Sequence, residues 1–315
     1  MQPSAEIYYD AASAQSQGRR EQQEDAVVAD FPAGAGMGFA VLSDGMGGHA
    51  AGDVASKIVV TEIFSELKMQ SGNPKGLEED ISGILQAAVQ SANDCVRYHA
   101  ETNPETMGMG ATLIAPVLLG DRLYWISVGD SPLYLYRDGQ LARLNEDHSM
   151  LAQINYLVSH GMMERETAAN HPDRHALTSV LIGGEIAKID CPARPVRVQP
   201  NDVILVASDG LQYLSETRIA ELVGQGASQS SAEIGAELLR ALEDLDDPDQ
   251  DNISLCVIRV SDDPTFGLET VPPAAMAAEP AAAAATAARS QMTIVAAASR
   301  KRKVVTYRVS MERSA

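Results

Sequence analysis

Four aspartates of this chain stand in one kind of setting. Asp44 closes the run Ala40-Val41-Leu42-Ser43 and precedes Gly45. Asp209 closes Leu205-Val206-Ala207-Ser208 and precedes Gly210, and Asp130 follows Ile126-Ser127-Val128-Gly129. Asp251 stands just before the apolar run that begins at Ile253. Such short apolar runs, stopped by Asp-Gly or Gly-Asp, read as buried strands. Each carboxylate is therefore expected at a strand end, where the backbone is rigid and small neighbours leave room for an ion and its waters. Carboxylates gathered at one sheet edge repel unless a cation neutralises them. An all-oxygen ligand set favours Mg²⁺ or Mn²⁺. Asp-Gly is also a common turn, so one such aspartate alone reads as turn chemistry; the set together points to a metal centre.

The loop from Asp44 to Gly52, Asp-Gly-Met-Gly-Gly-His-Ala-Ala-Gly, carries four glycines directly after a strand. Glycine lets the backbone approach a ligand closely, and the Gly45 carbonyl is positioned to serve a metal. The chain has no Gly-Lys-Ser/Thr or Gly-x-Gly-x-x-Gly pattern, so nucleotide phosphate binding is a weak reading of this loop. His49 reads as a loop residue rather than a ligand. Upstream, Arg20 is followed by Gln23, Glu24 and Asp25. A guanidinium is a rigid fork that matches two phosphate oxygens. Beside carboxylate-held metals it makes a phosphomonoester site. Arg19 competes for that role, and the spacing prefers Arg20.

The elements that must position these groups follow from periodicity. Short strands are expected at Phe39–Ser43, Ala111–Leu118, Arg122–Val128, Leu133–Tyr136, Leu141–Leu144, Val203–Ser208 and Ile253–Val260. Asp138-Gly139 is a two-residue hairpin signal. Val54, Ile58, Thr61, Phe64 and Leu67 mark one long helix, and Leu77, Ile81, Ile84, Ala88, Ala92 and Cys95 a second. Two more helices are expected near 215–223 and 230–244. Hairpin-linked strands with helices in separate runs predict an α+β fold: a four-layer αββα sandwich of two antiparallel sheets flanked by helices. Residues 148–185, polar and Met-rich, read as an insert. The character changes near residue 261. Residues 262–315 are Ala/Pro-rich and hold seven basic against five acidic residues. They are expected to be a flexible tail, with a short strand at Val304–Val309.

Composition narrows the function class. With 24 basic and 43 acidic residues the net charge is −19, which argues against a nucleic-acid surface. Cys95, Cys191 and Cys256 are widely spaced and form no Cys-x-x-Cys pair. Buried thiols in a reducing compartment are expected. The N-terminal residues have neither a basic nor an apolar leader region, and no run approaches the ~20 apolar residues of a membrane span. A cytoplasmic protein without membrane insertion is expected.

These segments, in order over roughly residues 6–260, resemble the PPM-type metal-dependent serine/threonine protein phosphatases (protein phosphatase type 2C) in their bacterial form. Arg20/Gln23/Glu24/Asp25 resembles the family's Arg-x-x-Asn-Glu-Asp, and Asp44–Gly52 its glycine-rich loop. Gly108–Thr112, Val128–Ser131, Asp147–Ser149, Ser208–Gly210 and Asp251-Asn252 match later motifs, and His171-Pro172-Asp173-Arg174 its His-Pro-x-Arg. The resemblance implies that Asp44 bridges two ions, Asp209 and Asp251 hold the first, and the Gly45 carbonyl binds the second. It implies water-mediated or supporting roles for Glu24 and Asp25, a third metal site at Asp130, and Arg20 on the substrate phosphate. The implied cofactors are two or three divalent cations, Mn²⁺ or Mg²⁺. Two ions about 3.5–4 Å apart acidify a bridging water and clamp the attacking and leaving oxygens.

The implied activity is hydrolysis of phosphoserine and phosphothreonine on proteins, by a monomer opposing a Ser/Thr kinase. Residues 148–185 correspond to the family's flap. Pro132 stands where the family has Arg after Gly-Asp-Ser, Gln23 replaces Asn, and Met46 replaces a histidine proposed as general acid in eukaryotic members. The rival readings are a catalytically impaired binding module and a different two-metal hydrolase such as a nuclease.

Overall fold

The computed structural model describes residues 6–32, 35–47, 51–226, 229–264 and 266 in full, and residues 290–298 and 303–311 by their backbone. In chain order the strands are β1 (Tyr8–Ser16), β2 (Ala26–Pro32), β3 (Met37–Ser43), β4 (Gly45–Met46), β5 (Gly110–Ala111), β6 (Leu113–Leu119), β7 (Arg122–Val128), β8 (Leu133–Arg137), β9 (Gln140–Arg143), β10 (Val196–Arg197), β11 (Val203–Ala207), β12 (Ile253–Ser261), β13 (Ser290–Ala298) and β14 (Lys303–Met311). The helices are α1 (Ala51–Gln70), α2 (Pro74–Glu79), α3 (Ile81–Thr102), α4 (Met150–Ser159), α5 (Arg165–Ala169), α6 (Glu216–Gln225) and α7 (Ser231–Glu243).

Two antiparallel sheets lie face to face. One runs β10-β7-β6-β3-β2 and the other β1-β12-β11-β8-β9. Strand alternation decides what lies where, since successive side chains point to opposite faces. In β12, Ile253, Leu255 and Val257 join the cluster under α6 and α7, whereas Cys256, Ile258 and Val260 join the cluster between the sheets. In β3, Phe39 and Val41 face α1 and α3, whereas Ala40 and Leu42 face the opposite sheet. Because both faces of these strands are covered, they read as continuous apolar runs. The four layers are those of the expected αββα sandwich.

The outer helices dock by their own periodicity. Ala51, Ala55, Val59, Ile63 and Leu67 form the buried face of α1. This stripe differs from the expected one: Val54, Ile58 and Phe64 are only partly buried and Thr61 is exposed. An apolar residue on the shoulder of a helix shows the same spacing as one at its centre. The expected second helix is two, α2 and α3, parted at Asp80. Helix α7 begins with a capping box, Ser230 and Glu233 satisfying each other's backbone N–H. Cys256 is buried, whereas Cys95 and Cys191 are partly exposed.

Strands β1 and β2 have no counterpart in the periodicity reading. The run Tyr8-Tyr9-Asp10-Ala11-Ala12-Ser13 holds no aliphatic residue larger than alanine. It is a strand because it pairs along its whole length with β12, from Tyr8↔Ser261 to Ser16↔Ile253. Within residues 262–315, β13 runs parallel beside β1 and meets the end of β2, and β14 pairs with β13. The expected strand at Val304–Val309 falls inside β14. The alanine-rich stretch 267–289 lies outside the described residues.

Leu118 is fully buried between the sheets. Leu118→Ala leaves a cavity there and should cost about 2–5 kcal/mol of folding stability. Urea unfolding followed by circular dichroism measures it. A midpoint unchanged from wild type would contradict this packing.

Candidate functional site

Both sheets end their strands on one side of the molecule, and the acidic residues collect there. Asp44 follows β3 directly, Asp130 lies two residues past β7, Asp209 lies two past β11, and Asp251 lies two before β12. The segment between β1 and β2 brings Arg20, Glu24 and Asp25 to the same edge. Asn252 holds that segment: its Oδ1 accepts from Glu24 N–H at 2.7 Å, and its Nδ2 donates to the carbonyls of Gln17 and Gln22 at 2.9 and 3.0 Å. Gly45 N–H donates to the Glu24 carbonyl at 3.2 Å. A β-carbon on Gly45 would collide with the carbonyl oxygen of Gly52, so glycine is what lets the loop after β3 fold against the start of α1. Gly48, His49 and Ala50 of that loop lie outside the described residues.

The carboxylates crowd one another. Asp25 is buried and accepts from Ser208 Oγ at 2.7 Å. Its pKa is pushed up to about 7, chiefly by burial, with Asp209 and Asp251 adding negative charge against the hydrogen bond from Ser208. Burial, then the charges of Asp25 and Asp209, hold Asp44 well above the usual carboxylate range. Asp130 is pushed up to about 7 by burial and by Asp209 and Asp147. Asp209 is raised by burial and by Asp251, and Glu24 is raised chiefly by burial. Asp25 Oδ1 and Asp209 Oδ1 are buried and have no hydrogen-bond partner.

Among the described residues, no three acidic, histidine or cysteine side chains are already drawn to a common ligand point. The donor set nevertheless fits divalent cations. It is all oxygen, it is mutually repulsive, and it includes two buried carboxylate oxygens that lack a partner. Arg20 stands at the mouth of the cluster, its side chain 58% exposed, with Nη2 donating to Asp251 Oδ2 at 2.6 Å. Arg19 turns the other way and pairs with Asp246.

Periodicity and composition did not reveal several of the residues that hold this site. Thr112 Oγ1 accepts from Asp44 N–H at 3.0 Å and lies 2.8 Å from Ser131 Oγ, which joins the Asp44 loop to the Asp130 turn. Ser43 Oγ donates to the Thr112 carbonyl at 2.6 Å. Gly129 packs against Thr112 with φ +103°, a backbone conformation that glycine adopts without a steric penalty. His148 is buried below the same turn, its backbone N–H donating to the Gly129 carbonyl at 3.0 Å. The segment after it is closed on itself by the bridge Ser149↔Leu177 and anchored to β5 by the bridge Ala111↔Leu181. His171, by contrast, hydrogen-bonds only within the insert, accepting from Asp173 N–H at 3.2 Å. The motif matches had marked Thr112, His148 and Asn252 as recurring residues; nothing in their spacing showed what they would touch.

A family model described as protein phosphatase 2C matches residues 14–246. The serine/threonine protein phosphatase PstP of Mycobacterium tuberculosis is 35% identical over 193 residues. That match takes in 61% of this chain and 34% of the relative, so the chain spans about a third of that protein's length. Among solved structures, the Streptococcus agalactiae serine/threonine phosphatase superposes with a TM-score of 0.68 at 26% identity, covering 80% of this chain and 99% of the other. The catalytic domain of a PstP phosphatase in complex with two manganese ions gives 0.61 at 29% identity, covering 81% and 99%.

The raised carboxylates carry a stability signature. Asp25 and Asp130 titrate at about 7 when folded, against an ordinary value of 3.8. The folded state therefore holds protons that the unfolded state has released. The stability this contributes is full below the ordinary value and is lost as pH rises through about 7. In chelator, the melting temperature should fall as pH rises from about 4 to 7, and Mn²⁺ should abolish the fall. Replacing both residues by Asn should make the fall in chelator shallower. A flat profile for the wild-type protein in chelator would contradict the crowding.

Proposed function

Because the chain belongs to the protein phosphatase 2C family, we propose that it hydrolyses phosphoserine and phosphothreonine on proteins, with two or three divalent cations, Mn²⁺ or Mg²⁺, held by the strand-end carboxylates. The observation that carries this reading is the crowded edge itself: burial, and then the charge of neighbouring carboxylates, raises the pKa values of Asp25, Asp44, Asp130 and Asp209 beside a guanidinium at the mouth. Asp44, Asp209, Asp251 and the Gly45 carbonyl would hold two ions, with Asp130 at a third and Glu24 and Asp25 behind them. When bound, the ions supply the Lewis acidity that makes water a nucleophile near neutral pH, and the positive charge that neutralises the phosphoryl oxygens.

The chain's own groups do the rest. Arg20 is exposed on one side and fixed to Asp251 on the other, so it meets an incoming phosphate at the cluster's mouth and orients it bidentately. Asp25, with Ser208 donating to it, keeps negative charge behind the site without occupying its surface. Attack by water forms a new phosphorus–oxygen bond as the bond to the serine or threonine oxygen breaks, and the leaving oxygen takes up a proton. Cys191 and Arg197 have Cys-x5-Arg spacing, but Arg197 lies in β10 paired with Asp121 and burial raises the Cys191 thiol, which fits direct attack without a covalent phosphoenzyme. Such an activity opposes a protein Ser/Thr kinase. No helix among the described residues is long and apolar enough to cross a membrane, and the net charge of −19 favours protein over nucleic-acid substrates.

The test is hydrolysis of a phosphothreonine peptide with Mn²⁺. Wild type should be active and silenced by chelator. Asp209→Ala should lose more than about 100-fold, since even groups behind metal ligands are worth 10–100-fold. Arg20→Ala removes a charged hydrogen bond to phosphate and should lower kcat/KM roughly 10- to 100-fold. Full activity in Asp209→Ala would remove the metal assignment. A folded wild type that binds the peptide without cleaving it would favour the binding module.

A further inference from the structure

The turn 129–133 carries Asp130, and most of the polar backbone groups in it are taken by residues 143–148. Gly129 N–H donates to His148 Nδ1 at 3.2 Å, and the Gly129 carbonyl accepts from His148 N–H at 3.0 Å. The Ser131 carbonyl accepts from Asn145 Nδ2 at 3.0 Å, and Leu133 N–H donates to Asn145 Oδ1 at 2.8 Å. The carbonyl of Asp130 itself is taken by Arg143 Nη2 at 2.7 Å. Pro132 points its carbonyl away, to Ala207 N–H at 3.1 Å. Pro132 brings neither charge nor N–H to the turn.

Arg143 supplies what that position lacks. It is the last residue of β9, placed there by the Asp138-Gly139 hairpin, whose φ values of +50° and +81° fit the primed turn that such strands prefer. Its side chain is 18% exposed. While Nη2 holds the Asp130 carbonyl, Nη1 donates to Asp147 Oδ2 at 2.8 Å and Nε reaches Asn145 Oδ1 at 3.4 Å. Asp147 is the residue from which the 148–185 insert departs, and its Oδ1 is buried without a partner. One guanidinium thus joins the turn bearing Asp130 to the base of the insert. A planar, forked cation can span two such acceptors, whereas an ammonium acts as a point charge.

We infer that Arg143 is a positioning residue: it fixes where the Asp130 carboxylate stands and locks that position to the base of the 148–185 insert. This rests on the phosphatase reading above and adds a residue to it. It predicts that cation occupancy at Asp130 depends on a side chain that touches neither cation nor substrate.

The experiment compares wild type, Arg143→Ala, Arg143→Lys and Arg137→Ala. Arg137 lies on the same hairpin but pairs with Asp202 and the Arg197 carbonyl instead, so its loss reports on stability without touching the Asp130 turn. The readouts are amide exchange at Gly129 and Leu133, whose N–H groups donate to His148 and Asn145, Mn²⁺ binding by calorimetry, and the Mn²⁺ dependence and KM of phosphopeptide hydrolysis. Arg143→Ala should speed exchange at both amides and raise the half-saturating Mn²⁺ about tenfold, with KM nearly unchanged. Arg143→Lys should recover only part of this, and Arg137→Ala should leave Mn²⁺ dependence alone. Wild-type exchange and Mn²⁺ response in Arg143→Ala would overturn the inference, as would the same Mn²⁺ defect in Arg137→Ala. If Arg143→Ala does not fold, Arg143→Lys carries the same readouts. If wild type cleaves no phosphopeptide, the phosphatase reading fails, and exchange and calorimetry still decide the role of Arg143.

Discussion

Negative charge crowded at one sheet edge is the constraint around which the rest of this molecule is arranged. Burial between the stacked layers, and then the charge of neighbouring carboxylates, raises the pKa values of Asp25, Asp44, Asp130 and Asp209 at the ends of different strands. Such an edge is stable only if protons or cations neutralise it. The supporting groups are suited to that need. Ser208 and Thr112 hold Asp25 and the Asp44 backbone without adding charge, and Gly45 allows close approach of the loop after β3.

The sandwich makes the crowding possible. Two sheets sharing a core bring β3 and β7 from one side, and β11 and β12 from the other, to the same end. A single sheet would spread these strand ends along a line. Strands buried on both faces are also rigid, because shifting one residue in register would move every side chain to the opposite face and break the packing of both cores. The carboxylates therefore cannot relax apart by sliding their strands, and the repulsion persists as raised pKa values.

The insert and the cluster are not independent. The bridge Ala111↔Leu181 ties 148–185 down beside the Asp44 loop, Gly183 N–H donates to Asn93 on α3, and Ser149↔Leu177 closes the segment on itself. Most of the insert is exposed, and Ile154 is the buried residue of α4. An element with so thin a core takes its position from its roots. Those roots are Asp147 and His148, the residues that also hold the Asp130 turn.

Much of this was legible in the residues alone. The apolar runs ending in Asp44, Asp130 and Asp209 announced strands with carboxylates at their ends, because a strand buried on both faces needs an unbroken apolar run. Asp138-Gly139 announced its hairpin, because few residue pairs accept two positive φ angles. The order of motifs announced the family. Strands β1 and β2 were not legible, since β1 is a strand through its partner β12 rather than through its own residues. The true buried stripe of α1 was not legible either, because it depends on which sheet the helix lies against. Sequence spacing preferred Arg20 to Arg19, but that one meets Asp251 and the other turns to Asp246 was settled only by the path of the chain between β1 and β2. The amino-acid order by itself determined which groups could do chemistry and that they stand at strand ends. Only the tertiary structure decided which of them face one another, and that Arg143 and Asn145 hold Asp130's turn, because contacts between residues distant in sequence follow from how the layers pack.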